Sequence, residues 1–155
     1  MIKKRIIGVV TIKNNLAVQS FSYSKYLPIG KPECVIENLD RWGADEILVQ
    51  VIDRSIKNLG PDFNLLNRIG KIKTTTPIIY SGGIRNLKDS IEVIKKGADR
   101  IAVESIIRKN KEELSKISKY LGSQAVIASL PVLLNGNEIY GYDYITRNNF
   151  KINED

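Results

Sequence analysis

The sequence predicts an α/β protein with a parallel sheet, of the (βα)8 barrel type, and three observations carry that expectation. Five short apolar, β-branched runs recur along the 155 residues: RIIGVVTI (5–12), EILVQVID (46–53), PIIYSG (77–82), RIAVES (100–105) and AVIASLP (125–131). Each is nearly continuous rather than alternating, as in parallel strands covered on both faces. Helical patterns separate the runs, giving the order β-α-β-α-β-α-β-α-β. The third observation is an internal repeat: Gly43-Ala44-Asp45-Glu46-Ile47 returns 54 residues later as Gly97-Ala98-Asp99-Arg100-Ile101. Repetition of a βαβα unit is how such barrels are assembled, although a doubly wound sheet uses the same elements.

The elements follow in order. MIKKRIIGVVTI places basic residues before an apolar run, as a leader peptide would. The run is short and β-branched and has no small-residue cleavage site, so it reads as a buried strand and the expected location is the cytoplasm. CVIENLDRW (34–42) sets Val35, Leu39 and Trp42 on one helical face, and DFNLLNRIG (62–70) does so with Phe63, Leu66 and Ile69. Asp62, just after Pro61, is a candidate N-cap for the second of these helices. LKDSIEVIKKG carries Leu87, Ile91 and Ile94, and KEELSKISKYLG carries Leu114, Ile117 and Leu121. Asn110 is placed to cap this last helix and Gly122 to stop it. Beyond Pro131, NGN lies between runs rich in Leu, Ile and Tyr, which signals a hairpin where an active-site loop would sit. The last residues, KINED, read as solvent-exposed.

A closed barrel needs about 250 residues. Residues 1–155 therefore read as one half-barrel domain: four βα units, a fifth strand and a hairpin. A half-barrel has two open edges and an uncovered inner face. Two copies that close on each other, or a longer chain, would cover them.

Composition narrows the chemistry. Apolar residues are 43% and charged residues 26% of the chain, as in an ordinary globular protein, and no run reaches the ~18 apolar residues of a membrane span. The single cysteine, Cys34, can form no intrachain disulfide and reads as a buried, inert thiol. There is no histidine, which removes Ser-His and Cys-His nucleophile pairs and imidazole ligands. No metal or cofactor is expected. The net charge of +7 comes from 24 basic and 17 acidic residues, interspersed as in EVIKKGADR and IIRKNKEELSK, so it reads as solvated helix faces rather than a nucleic-acid surface.

KRIIGVVTIKNN, the WGADEI segment, YSGGIRNLKDSIEVIKKGADRIAVES and YLGSQAVIAS together resemble the cyclase subunit of imidazole glycerol phosphate synthase (HisF-like), of histidine biosynthesis. The match covers the N-terminal half of that barrel, its fifth strand and the following hairpin. SFSYSKYLPIGKPE looks more like a divergent branch linked to amidation of surface sugars. The resemblance implies a lyase or cyclase subunit that receives ammonia from a glutaminase partner through the barrel and uses it at the C-terminal face. In that family two aspartates, at the ends of strands one and five, act as acid and base. Here they fall on Thr11 and Pro131, and neither Gly8–Ile12 nor Ala125–Leu134 contains an acid. Asp53 and Glu104 are the carboxylates nearest the C-terminal strand ends.

The phosphate-binding positions of the family fall on Gly82, Gly83 and Ser105. The family's asparagine before the last of these falls on Glu104, whose negative charge opposes a phosphate. A tight structural turn explains the glycines equally well. The ammonia gate falls on Arg5, Glu46 and Arg100, residues that also suit strand starts leaving solvent. Asp99 matches a glutaminase-facing position, or serves the turn of the GAD loop. The functional expectation is a synthase subunit that passes ammonia to a phosphorylated or nucleotide-sugar acceptor. The alternatives are a truncated, non-catalytic half-barrel acting as a homodimer or scaffold, and a genuine cyclase of histidine biosynthesis.

Overall fold

The structure is a computed structural model and describes residues 4–21, 24–144, 146 and 148–152. The residues at 153–155, expected to be exposed, lie outside that set. Five parallel strands form the frame: β1 (Ile7–Lys13), β4 (Glu46–Val51), β5 (Ile78–Ser81), β6 (Arg100–Val103) and β7 (Val126–Ala128). An antiparallel hairpin, β2 (Leu16–Phe21) and β3 (Lys25–Gly30), extends the sheet past β1, giving the order β3-β2-β1-β4-β5-β6-β7.

Each parallel strand presents alternate residues to opposite faces. Val10, Ile12, Ile47, Val49, Val51, Ile78, Tyr80, Ile101 and Val103 form one buried core with the helices. These helices are α1 (Pro32–Arg41), α3 (Phe63–Ile69), α4 (Leu87–Lys95) and α6 (Lys111–Leu121), which contribute Ile36, Leu65, Leu66, Ile69, Val93 and Ile117. Two short helices, α2 (Asp53–Ile56) and α5 (Ser105–Lys109), begin at or just after the C-terminal ends of β4 and β6. On the opposite face of the sheet Ile7 and Val9 remain 46% and 54% exposed.

The expected caps are present. The Asp62 carboxylate accepts from the Leu65 N–H at 2.9 Å and Asn110 Oδ1 from the Glu113 N–H at 3.0 Å. Gly122 follows α6 at φ 88°, a left-handed angle open to glycine. The hairpin at NGN pairs β8 (Val132–Asn135) with β9 (Glu138–Asp143), and β10 (Asn148–Lys151) adds a third strand.

Four features differ from the sequence expectation. The first strand does not pass directly to a helix, because Asn14 and Asn15 both adopt positive φ (49° and 64°) and turn the chain into β2. A two-residue loop with both central angles positive suits the twist of a hairpin, and asparagine tolerates it better than most residues. Cys34 is exposed, since it lies in the first turn of α1 on the side away from Ile36. Trp42 is 75% exposed, because α1 ends at Arg41 and Trp42 is its C-cap, off the buried stripe. In α4 the buried positions are Ser90 and Val93, with Leu87 and Ile94 only partly covered beside them.

Candidate functional site

A pocket opens at the C-terminal ends of β1, β4, β5 and β6. Its floor is made by strand-end residues, Gln50, Val51, Ser81, Ala102 and Val103, and its rim by Lys13, Tyr26, Asp53, Gly82, Gly83, Glu104, Ser105, Asp143 and Tyr144. Parallel strands place their following loops on one side, so several short connections converge there.

The turn after β5 needs both glycines. Gly82 has φ 135°, and a Cβ there would lie 2.5 Å from the Val51 carbonyl oxygen. Gly83 has φ 72°, and a Cβ there would lie 2.6 Å from the Gly60 carbonyl oxygen. Bare backbone thus reaches the pocket edge, and among the described residues no acceptor takes the N–H of Gly82 or Gly83. Ser105, the third member of the sequence-derived set, lies on the same rim at the start of α5, which has no side-chain cap.

The two carboxylates singled out in the sequence meet different fates. Asp53 Oδ2 accepts from Lys57 Nζ at 2.7 Å and from the Asn14 N–H at 3.3 Å. Burial alone would raise its pKa, but these hydrogen bonds and the Lys57 charge outweigh burial and hold it below the ordinary aspartate value. Asp53 therefore anchors the β1–β2 turn. Glu104 is half-buried on the rim and makes no side-chain hydrogen bond or ion pair with a described residue. Its pKa is raised, first by burial and then by the Asp143 carboxylate, against an opposing pull from Arg108. Arg108 is itself engaged at 3.0 Å with Asp143, which β9 carries to the rim. Asp143 and Lys13, whose ammonium lies 3.8 Å from the Tyr26 ring centre, were not singled out in the sequence. The hairpin signal pointed to the region of Asp143, but the pairing with Arg108 joins distant segments.

Thr11 and Pro131 supply no acid to this pocket and do not line it. Thr11 pairs with Gln50 across β1 and β4, and the Pro131 carbonyl accepts from the Tyr142 N–H at 3.0 Å.

At the opposite end of the same strands, Arg5, Glu46 and Arg100 come together. Both guanidinium groups donate to one oxygen, Glu46 Oε1, at 2.7 Å from Arg5 and 3.0 Å from Arg100. Glu46 is 4% exposed, so its charge is balanced by these two partners rather than by water. The GAD loops beside it perform matching tasks. The Asp99 carboxylate accepts from the Ile78 N–H at 2.7 Å, and the Asp45 carboxylate accepts from the Ile6 N–H at 2.8 Å.

Consecutive βα units, a pocket at the C-terminal strand ends and a charge cluster at the N-terminal ends define the class: a barrel-type α/β protein whose pocketed face is built from strand-to-helix loops. Residues 5–151 match the family described as Histidine biosynthesis protein, and the chain belongs to this family of (βα)8 barrels. Among its relatives is a Vibrio vulnificus protein, provisionally named imidazole glycerol phosphate synthase subunit hisF2, at 31% identity over 93% of this chain and 53% of the relative. A Campylobacter jejuni protein with the same provisional name is 29% identical over 92% of this chain and 57% of its own length. Imidazole glycerol phosphate synthase subunit HisF of Sulfolobus acidocaldarius is 28% identical over 99% of this chain and 61% of its own length. The chain thus spans between about half and three fifths of the relatives it matches.

Proposed function

We propose that this chain is a HisF-like synthase subunit that works with a glutaminase partner and delivers ammonia to a phosphorylated or nucleotide-sugar acceptor. The observation that carries this reading is the arrangement along one set of strands: the Arg5–Glu46–Arg100 cluster at their N-terminal ends and the pocket at their C-terminal ends. In this reading the cluster is the ammonia gate and Asp99 lies on the face that meets the glutaminase. Gly82, Gly83 and Ser105 hold the acceptor's phosphate. Bare N–H groups beside two glycines suit an anion, because backbone dipoles can approach it closely. Thr11 and Pro131, where the family's acids would stand, argue for an altered reaction rather than cyclisation in histidine biosynthesis. Relatives named hisF2 support the placement in a side branch of the family, and surface-sugar amidation is the acceptor chemistry assigned here.

The test is to mix the chain with a synthase glutaminase and measure glutamine turnover and complex formation. Stimulated turnover with a stable complex is expected. Absence of both effects would remove the reading. Formation of imidazole glycerol phosphate in the same mixture would instead assign the histidine-pathway cyclase.

A second reading, a homodimer of half-barrels without catalysis, is favoured by the exposure of Ile7 and Val9 on the sheet face away from the helices. It predicts a solution mass of twice 17.5 kDa and no binding of sugar phosphates.

A further inference from the structure

We propose that the pocket rim takes an anionic oxygen ligand, a phosphate or sulfate group, only together with one proton that resides on Glu104, whose carboxyl then donates a hydrogen bond to the anion. This inference rests on the reading of Gly82 and Gly83 as an anion cradle and names the residue that sets its selectivity.

The lining of the pocket argues for the coupling. Glu104 lines the same pocket as Gly82, Gly83 and Ser105, so an anion seated on the glycine amides shares that pocket with its carboxyl group. An ionised carboxylate offers only acceptors and repels an anion, whereas a protonated one offers an O–H donor. Among the described residues that carboxyl has no hydrogen-bond or ion-pair partner. Arg108, on the helix that follows, is ion-paired with Asp143 and acts on Glu104 through its charge alone. The titratable groups that other elements bring to the same pocket are Lys13 of β1, Tyr26 of β3, Asp53 just after β4, and Asp143 and Tyr144 at the end of β9. Lys13 lies over the Tyr26 ring and Lys57 is paired with Asp53, so neither lysine is ion-paired with Glu104. Half-burial raises the pKa of that carboxyl, Arg108 opposes the rise and Asp143 adds to it, and a bound anion raises it further.

The chain offers an unusually clean test, because it contains no histidine. Apart from the N-terminal amine, no side chain with an ordinary pKa titrates between pH 6 and pH 8. Sulfate, which stays a dianion throughout that range, is the probe for titration calorimetry. For the wild-type chain the dissociation constant should rise with pH, approaching tenfold per unit. The Glu104→Gln variant, which keeps a donor and cannot ionise, should bind sulfate with a constant that changes about twofold or less over the range. Binding enthalpies in two buffers of different ionisation heat should show uptake of close to one proton by the wild-type chain near pH 7, a measurement independent of any variant.

Sulfate binding with no pH dependence and no proton uptake would overturn the coupling while leaving the anion site standing. An unchanged slope in the variant would overturn it too, by assigning the proton elsewhere. Absence of sulfate binding by both chains at every pH would remove the anion site, and the coupling with it. A phosphate monoester run in parallel adds its own ionisation near pH ~6, so only the sulfate series isolates Glu104.

Discussion

The two ends of the parallel strands each present a glutamate, and the protein treats them in opposite ways. Glu46, at the N-terminal end, is buried and receives two arginines on one oxygen. Glu104, at the C-terminal end, lines a pocket with no hydrogen bond from a described residue. A charge taken from water is tolerated only with compensation. The N-terminal end supplies that compensation internally, and the C-terminal end leaves it to a proton or a ligand. One end closes the fold, and the other keeps unsatisfied chemistry available.

The largest test of this contrast is Glu46→Ala. It leaves two guanidinium groups facing each other and should cost about 3 kcal/mol. For a chain of this length that lowers Tm by roughly 6–12 °C. Glu104→Ala, measured the same way at pH 7, should leave Tm unchanged or raised. Equal losses at the two positions would end the distinction.

Next in size is Asp99→Ala, which strips the acceptor from the Ile78 N–H and should cost about 1 kcal/mol in denaturant unfolding. Asp45→Ala should match it through Ile6, since the two loops make the same bond. A large effect at one copy and none at the other would show that the repeat is not energetically equivalent.

Smaller again is Asn15→Gly in the β1–β2 turn, expected to stabilise by about 0.5 kcal/mol because glycine accepts φ 64° without a Cβ penalty. The hairpin belongs to the C-terminal end through the Asp53 carboxylate and the Asn14 N–H, so the gain sharpens how far that end is limited by local strain.

The smallest effect is a matter of sign. Glu104 has a raised pKa in the folded chain, against an ordinary glutamate value of 4.5 when unfolded. Between those two values the folded state binds the extra proton, so stability falls as pH rises through the window. Glu104→Gln does not titrate. Its stability relative to wild type should therefore grow as pH rises above 4.5 and level off beyond the raised value, as read from chemical denaturation at a series of pH values. A difference that shrinks with rising pH would reverse the assignment.

How much of this was legible in the sequence depended on range. Continuous β-branched runs located the five parallel strands to within a few residues, because burial on both faces leaves a strong local signature. Asp62, Asn110 and Gly122 were readable for the same reason, since a cap acts over three or four residues. The β2–β3 hairpin was missed although Asn14-Asn15 carried its signal, because the alternation of strands and helices left no room for it. Cys34 was misplaced because composition says how often a thiol is buried, not which side of α1 it occupies. At the site, Gly82, Gly83 and Ser105 could be named through the family resemblance, and Glu104 also from its place at a strand end. The tying of Asp53 to Lys57 and Asn14, and of Arg108 to Asp143, depends on folding and was not legible.

The paired aspartates of the GAD loops have a consequence for how the molecule comes apart. Asp99 precedes β6 yet fastens the start of β5, and Asp45 precedes β4 yet fastens the start of β1. Each strand is held at its root by the loop that introduces its neighbour in the sheet, so the units are coupled like links rather than like independent bricks. Loosening one link should release the amide of the strand beside it before the rest of that strand opens. The exchange order of backbone hydrogens at Ile6 and Ile78 therefore reports on the neighbouring unit, because each of these residues both donates to and accepts from the aspartate of the adjoining loop.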